Sequence, residues 1–213
     1  MGQKVHPIGF RLNINNENYK SLWYSNSKNY IEFLKEDNMI RIFFNNIIRK
    51  QKISSIKIKR KNKSFNTITI NIRTGNPKYF LKNNYLELKN IKNNIGQKLF
   101  KNTQIRIHIT EIKKFFLETE IIANLIAEQI EKRIHFKRVI GNILQKVQNE
   151  KAVIGIKILL SGRLNGAEIA TNEWVLKGSI PLQTLKININ YSTAEASTIY
   201  GIIGIKVWMF KKN

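Results

Sequence analysis

Residues 139–160 read Val139-Ile140-Gly141-Asn142-Ile143-Leu144-Gln145-Lys146-Val147-Gln148-Asn149-Glu150-Lys151-Ala152-Val153-Ile154-Gly155-Ile156-Lys157-Ile158-Leu159-Leu160. The apolar period changes inside that stretch. Val139, Ile140, Ile143, Leu144 and Val147 recur at helical spacing, whereas Ile154, Ile156, Ile158 and Leu160 alternate as one face of a strand. A helix feeding a half-buried strand predicts an α+β unit, with helices packed on a sheet. Upstream, Ile121, Ile122, Leu125, Ile126, Ile130 and Ile134 extend the stripe into a long amphipathic stretch, a helix or two, with Gly141 as a bend or a shared surface. Downstream, alternation returns at Leu185, Ile187, Ile189 and Tyr191, and again at Ile203, Ile205, Val207 and Met209. These elements predict a C-terminal α+β domain over residues 111–213.

The first half carries the same two periods in another order. Ile31, Leu34, Ile40, Phe43, Phe44 and Ile47 suit one face of a helix running to about Arg49. Ile56 and Ile58 alternate with lysines, and Ile68, Ile70 and Ile72 alternate with Thr69 and Asn71. Between these strands Arg60, Lys61 and Lys63 form a basic hairpin tip. Gly75-Asn76-Pro77 breaks the pattern. Leu86, Leu88, Ile91, Ile95 and Leu99 resume helical spacing before a strand through Ile105, Ile107 and Ile109. The prediction is a compact α+β domain over residues 1–110, preceded by an irregular N-terminal arm.

Charge narrows the partner. Thirty-seven Lys and Arg stand against 14 Asp and Glu, a formal net charge of +23. A folding sequence with that self-repulsion belongs against a polyanion, nucleic acid before an anionic membrane. No stretch approaches the roughly 20 uncharged apolar residues of a spanning helix, so no membrane partner is expected. The opening residues lack a signal-peptide core. The chain has no cysteine, which excludes disulfides and thiolate metal sites.

Enzymatic constellations are wanting. Asp37 is the one aspartate, which argues against a nuclease site of paired aspartates on magnesium. His6, His108 and His135 fall in three segments without ligand spacing. Neither a phosphate-binding loop nor a dinucleotide fingerprint is present, so no cofactor, metal or catalytic residue is expected. Glu111, Glu118, Glu120 and Glu128 read as helix-terminal charges or protein contacts. Trp174, Tyr191, Tyr200 and Trp208 sit at strand spacing, where packing is the commoner role and base stacking the other. In the run Glu131-Lys132-Arg133-Ile134-His135-Phe136-Lys137-Arg138 the cations avoid the apolar stripe and form a positive surface suited to phosphates.

Two longer motifs carry a resemblance. Met1-Gly2-Gln3-Lys4-Val5-His6-Pro7-Ile8-Gly9-Phe10-Arg11-Leu12 resembles the opening of the third small-subunit ribosomal protein family, in its bacterial and organellar form. Ser161-Gly162-Arg163-Leu164-Asn165-Gly166-Ala167-Glu168-Ile169-Ala170, then Glu173-Trp174, Gly178, Pro181-Leu182, Thr184-Leu185 and residues 200–208, follow in family order and spacing. The resemblance implies a type II KH-like domain followed by an α+β C-terminal domain. It implies a structural role, not an enzyme, in the head of the small ribosomal subunit, on small-subunit rRNA at the entrance of the mRNA channel. The implied protein neighbours are the tenth and fourteenth small-subunit proteins, with the second, fourth and fifth nearby. The competing readings, an RNA-processing enzyme and a free regulatory RNA-binding module, lack a motif of this length.

The family's Phe-Arg-Arg motif, which helps unwind mRNA in bacterial members, is matched by Phe136-Lys137-Arg138, and a third basic position falls on Gly141. The expected RNA-binding residues are Lys4, His6, Arg11, Lys132, Arg133, Lys137, Arg138, Arg163 and Lys177. KH domains grip single strands with a G-x-x-G loop between two helices. The corresponding stretch, Phe80-Leu81-Lys82-Asn83-Asn84-Tyr85, has no glycine, so the fold is expected to persist as a scaffold without that grip. From the Lys/Asn/Ile bias and the lack of a long basic tail after Phe210, a plastid ribosome is expected, with synthesis in the organelle; an AT-rich bacterial cytoplasm is the alternative.

Overall fold

A computed structural model describes residues 4–12, 14, 19–62, 66–98 and 103–212. The chain divides into two compact units, Tyr19–Lys113 and a discontinuous one made of Met1–Asn18 with Lys114–Asn213.

In the Tyr19–Lys113 unit, β1 (Ser21–Leu22), β2 (Ile53–Asn62), β3 (Asn66–Thr74) and β4 (Thr103–Glu111) form a sheet in that order. The β2–β3 pair is antiparallel and the β3–β4 pair parallel. A parallel neighbour needs a crossover, here α3 (Pro77–Lys98). Pro77, with its fixed φ and no donor to lose, suits the first helical position. Helix α2 (Ser27–Gln51) precedes β2 and ends at Lys52 in the left-handed conformation. Phe33, Ile40 and Phe44 of α2, the alternating isoleucines of β2 and β3, and Phe80, Ile91 and Ile95 of α3 are buried. Each such side chain contributes roughly 1.5–3 kcal/mol of transfer free energy.

Two expectations for this unit change. Arg60 is not at the hairpin tip but inside β2, its side chain 3% exposed and paired with Glu36 and Asp37. Its guanidinium also donates to the Phe33 carbonyl and lies 4.7 Å from the Phe33 ring centroid. Lys63 falls outside the described residues. The glycine-free stretch at residues 80–85 is not a loop between two helices. It lies inside α3, which runs unbroken for 22 residues, the stretch itself holding neither proline nor glycine to break it.

In the other unit, β5 (Val153–Gly162), β6 (Thr171–Gly178), β7 (Ile189–Thr198) and β8 (Gly201–Lys211) make an antiparallel sheet in the order β6-β5-β8-β7. Helices α4 (Thr119–Glu131) and α5 (Phe136–Gln148) cover one face. Ile122, Ile126, Val139, Ile143 and Val147 meet Ile156, Ile158, Leu160, Ile205, Val207 and Met209 there. The amphipathic stretch, expected as a helix or two, forms two. The strand expected from Leu185 begins only at Ile189, and β6 was not anticipated.

The N-terminal arm, expected with the first domain, packs in this unit. Its short helix α1 (Pro7–Arg11) is capped by His6, whose Nδ1 accepts the Gly9 amide at 3.2 Å. The reason is Arg11, whose guanidinium donates to the carbonyls of Pro7, Leu182, Thr184 and Ile187 at 2.7–3.1 Å. The change of unit falls between Lys113 and Lys114. Among the described residues no helix is long and apolar enough to cross a membrane.

Candidate nucleic-acid interface

The break between α4 and α5 concentrates the exposed cations. At the end of α4, Arg133 N–H bonds to the Ile130 carbonyl and Ile134 N–H reaches back to Gln129. This double closure is a Schellman motif, and it puts Arg133 at φ 61°, where glycine is usual. Ile134 then continues the apolar pattern past the break, which is why the stripe reads as uninterrupted. His135 caps α5, its Nδ1 accepting the Lys137 amide at 3.3 Å.

Lys137 and Arg138 occupy the first turn of α5, which holds no acidic residue. Cations at a helix N-terminus oppose the macrodipole, whereas an anion there is favoured by the dipole and the cations together. Arg133, Lys137 and Arg138 are exposed and meet no carboxylate among the described residues. Lys132 is exposed too and pairs with Glu128 at 2.8 Å, a solvent-screened i,i+4 contact worth a few tenths of a kcal/mol. Phosphate can compete for it.

Next to this turn lies a cleft of about 430 Å³ between it, the β5–β6 connection and the β7–β8 turn. His135 Nε2 is 2.7 Å from the Asn165 side-chain amide, which ties the connection to the turn. Arg163 donates to the Ala167 carbonyl at 2.7 Å, and its guanidinium carbon is 5.5 Å from the Tyr200 ring centroid. Gly166, at φ +80°, lies against the same ring. A β-carbon there would come within 2.8 Å of it, so only glycine lets Tyr200 settle over the connection. Arg163 and the half-exposed Tyr200 thus present a cation and an aromatic face to the cleft.

The structure gathers some of the expected residues and scatters others. Lys132, Arg133, Lys137 and Arg138 share the turn, with Arg163 beside them across the cleft. Lys177, on β6, donates to Gln148 at the far end of α5, about 18 Å along the helix axis. Lys4 is exposed on the arm, and His6 packs edge-on against Tyr191 at 4.9 Å. Arg11 is 1% exposed, so as an expected phosphate ligand it is corrected: its donors go to four main-chain carbonyls. Desolvation holds its guanidinium below its ordinary value.

Sequence reasoning missed Asn165, a neutral loop residue that the fold brings to His135, whereas Tyr200, a stacking candidate from sequence, meets its cation Arg163 here. The acidic residues are dispersed into ion pairs, Glu118 with Lys211 and Glu150 with Lys114. Asp37 accepts from Ser21, Trp23 and Arg60. Among the described residues no group of three metal-ligating side chains occurs.

Comparison with known proteins agrees with this picture. The family profile for ribosomal protein S3, C-terminal domain, matches residues 126–209, which span both the turn and the second sheet. Over its full length the chain is 46% identical to small ribosomal subunit protein uS3c of Trieres chinensis and covers 98% of that protein. It is 44% identical to uS3c of Gracilaria tenuistipitata var. liui over 211 residues, 95% of that protein. It is 43% identical to uS3 of the bacterial strain Rippkaea orientalis PCC 8801 over 211 residues, 86% of that protein.

Proposed function

Because this chain belongs to the ribosomal protein S3 family, a structural and non-enzymatic component of the small ribosomal subunit, we propose that it sits in the subunit head, binds small-subunit rRNA and shapes the entrance of the mRNA channel. The observation that carries the proposal is the α4–α5 turn, where Arg133, Lys137 and Arg138 stand exposed without carboxylate partners among the described residues, at the positive end of a helix. RNA phosphate is the counter-charge such a surface lacks. Lys132 and Arg163 extend it, and Lys4, His6 and Lys177 are auxiliary contacts elsewhere on the same unit.

The Tyr19–Lys113 unit is read as a KH-like scaffold. Its antiparallel β2–β3 pair followed by a parallel β4 supports that reading. Its unbroken α3 supports the loss of the single-strand grip. The tenth and fourteenth small-subunit proteins are the proposed neighbours, with the second, fourth and fifth close by. The plastid is the proposed compartment, since relatives named uS3c in algae match the whole chain, with the bacterial cytoplasm as the alternative.

The test is translation through structured message. Ribosomes carrying Lys137→Ala with Arg138→Ala should slow several-fold at a stable mRNA hairpin and keep their rate on an unstructured message. Equal slowing on both messages, or none, would remove the turn from the channel entrance.

A further inference from the structure

The face of the second sheet turned away from α4 and α5 carries a row of aromatic and cationic side chains. Register sets Tyr191 of β7 opposite Trp208 of β8, and Trp208 opposite Lys157 of β5. Lys157 in turn faces Leu176 of β6, and Trp174 lies one pleat along, opposite Leu159. The Tyr191 and Trp208 ring centroids are 5.2 Å apart. Lys157 Nζ lies between two indoles, 4.8 Å from the Trp174 centroid and 5.5 Å from that of Trp208.

This row is not a core. Trp174 is 53% exposed and Leu176 44%, on an edge strand with nothing beyond it among the described residues. At the β7 end the arm closes the face through His6 on Tyr191. From Trp208 to Trp174 it stays open. An exposed patch of this kind on a soluble unit marks a contact surface.

Charge and geometry choose the occupant. Lys157, Lys206 and Lys4 meet no carboxylate among the described residues. Register sets Lys206 opposite Leu159, beside the Trp174–Lys157 pair. Burial, and after it the charge of Lys4, hold the Lys157 ammonium below its ordinary value, so an arriving anion relieves a repulsion already present. The acidic side chain of this face, Glu195, lies toward the far end of β7, opposite Gly204. A four-stranded antiparallel sheet backed by two helices, with aromatic rings and lysines on its open face, is a geometry on which unpaired bases stack while phosphates meet the cations.

We propose that this face is a stacking platform for a short unpaired RNA segment, with bases on Trp174 and Trp208 and phosphates against Lys157 and Lys206. It is separate from the turn proposed for the channel entrance and needs none of that turn's residues. The full chain, titrated with a labelled ten-nucleotide uridine strand, should lose about 5- to 100-fold in affinity on Trp174→Ala or Trp208→Ala. Trp174→Phe should keep most of the binding. Photo-cross-linking of the unaltered chain to a 4-thiouridine strand should place adducts in residues 171–178 or 205–210. Lys137→Ala with Arg138→Ala should leave those adducts in place. Unchanged affinity in both tryptophan variants, or adducts only around residues 132–138, would overturn the platform and leave the channel reading standing. So would intact strand binding by Trp174→Ala accompanied by loss of a neighbouring ribosomal protein from reconstituted subunits, which would assign the face to protein.

Discussion

Arg11 makes four hydrogen bonds to main-chain carbonyls from a side chain almost wholly out of water. Removing the guanidinium strands those acceptors, and a buried polar group without its partner costs about 1–3 kcal/mol. Arg11→Met should therefore lower the stability of its unit by about 3 kcal/mol, read as a fall in melting temperature. At a temperature where the variant is folded, its RNA affinity should match the parent's. In sequence, Arg11 could not be told from a phosphate ligand: it stands in one short stretch with Lys4 and His6. Three of the four carbonyls that use it up lie more than 170 positions away. Arg60 is the same case, drawn in by Glu36 and Asp37 over 24 and 23 positions. Exposure separates a cation that binds RNA from one that holds the protein, and residue type does not encode exposure.

Periodicity located most elements, because each buries one face and the spacing of isoleucines reports it. It left one helix or two open at the α4–α5 junction. The α4–α5 junction keeps Ile130, Ile134 and Val139 on one stripe, and the left-handed residue that ends α4 is arginine instead of the glycine that would have marked it. The strand β6 was hidden for the converse reason: it is an exposed edge with no buried face to alternate. Gly141, read as a bend, is an ordinary exposed position inside α5, and a β-carbon there meets nothing within 4 Å. Glycine in a helix interior is about 1 kcal/mol worse than alanine. Gly141→Ala should raise the melting temperature of this unit by the equivalent of about 1 kcal/mol. Gly141→Lys should gain most of that and, one turn beyond Lys137, add a cation to the turn. Its RNA binding at low salt should rise over that of Gly141→Ala, as a filter-binding titration would show.

Across the whole molecule, a net charge of +23 makes any RNA affinity a function of salt. If Lys132, Arg133, Lys137 and Arg138 all meet phosphates, they contribute roughly −3 to the slope of log K against log salt. A fourfold rise in salt then weakens binding by about 60-fold through these residues. Replacing all four by alanine should flatten the measured slope by about that amount, and an unchanged slope would place the phosphate contacts elsewhere. Composition made this much legible, whereas the allocation of N-terminal residues to the C-terminal unit was not. That allocation has a consequence in time. The arm is made well before its anchor, because the carbonyls of Leu182, Thr184 and Ile187 come at least 171 residues later. At about 5–20 residues per second that is a wait of roughly 10–35 s. The Tyr19–Lys113 unit has a core of its own and can form within that interval. The arm waits unanchored while a later-made unit folds, and until then its cationic residues are open to capture by whatever RNA or chaperone is near.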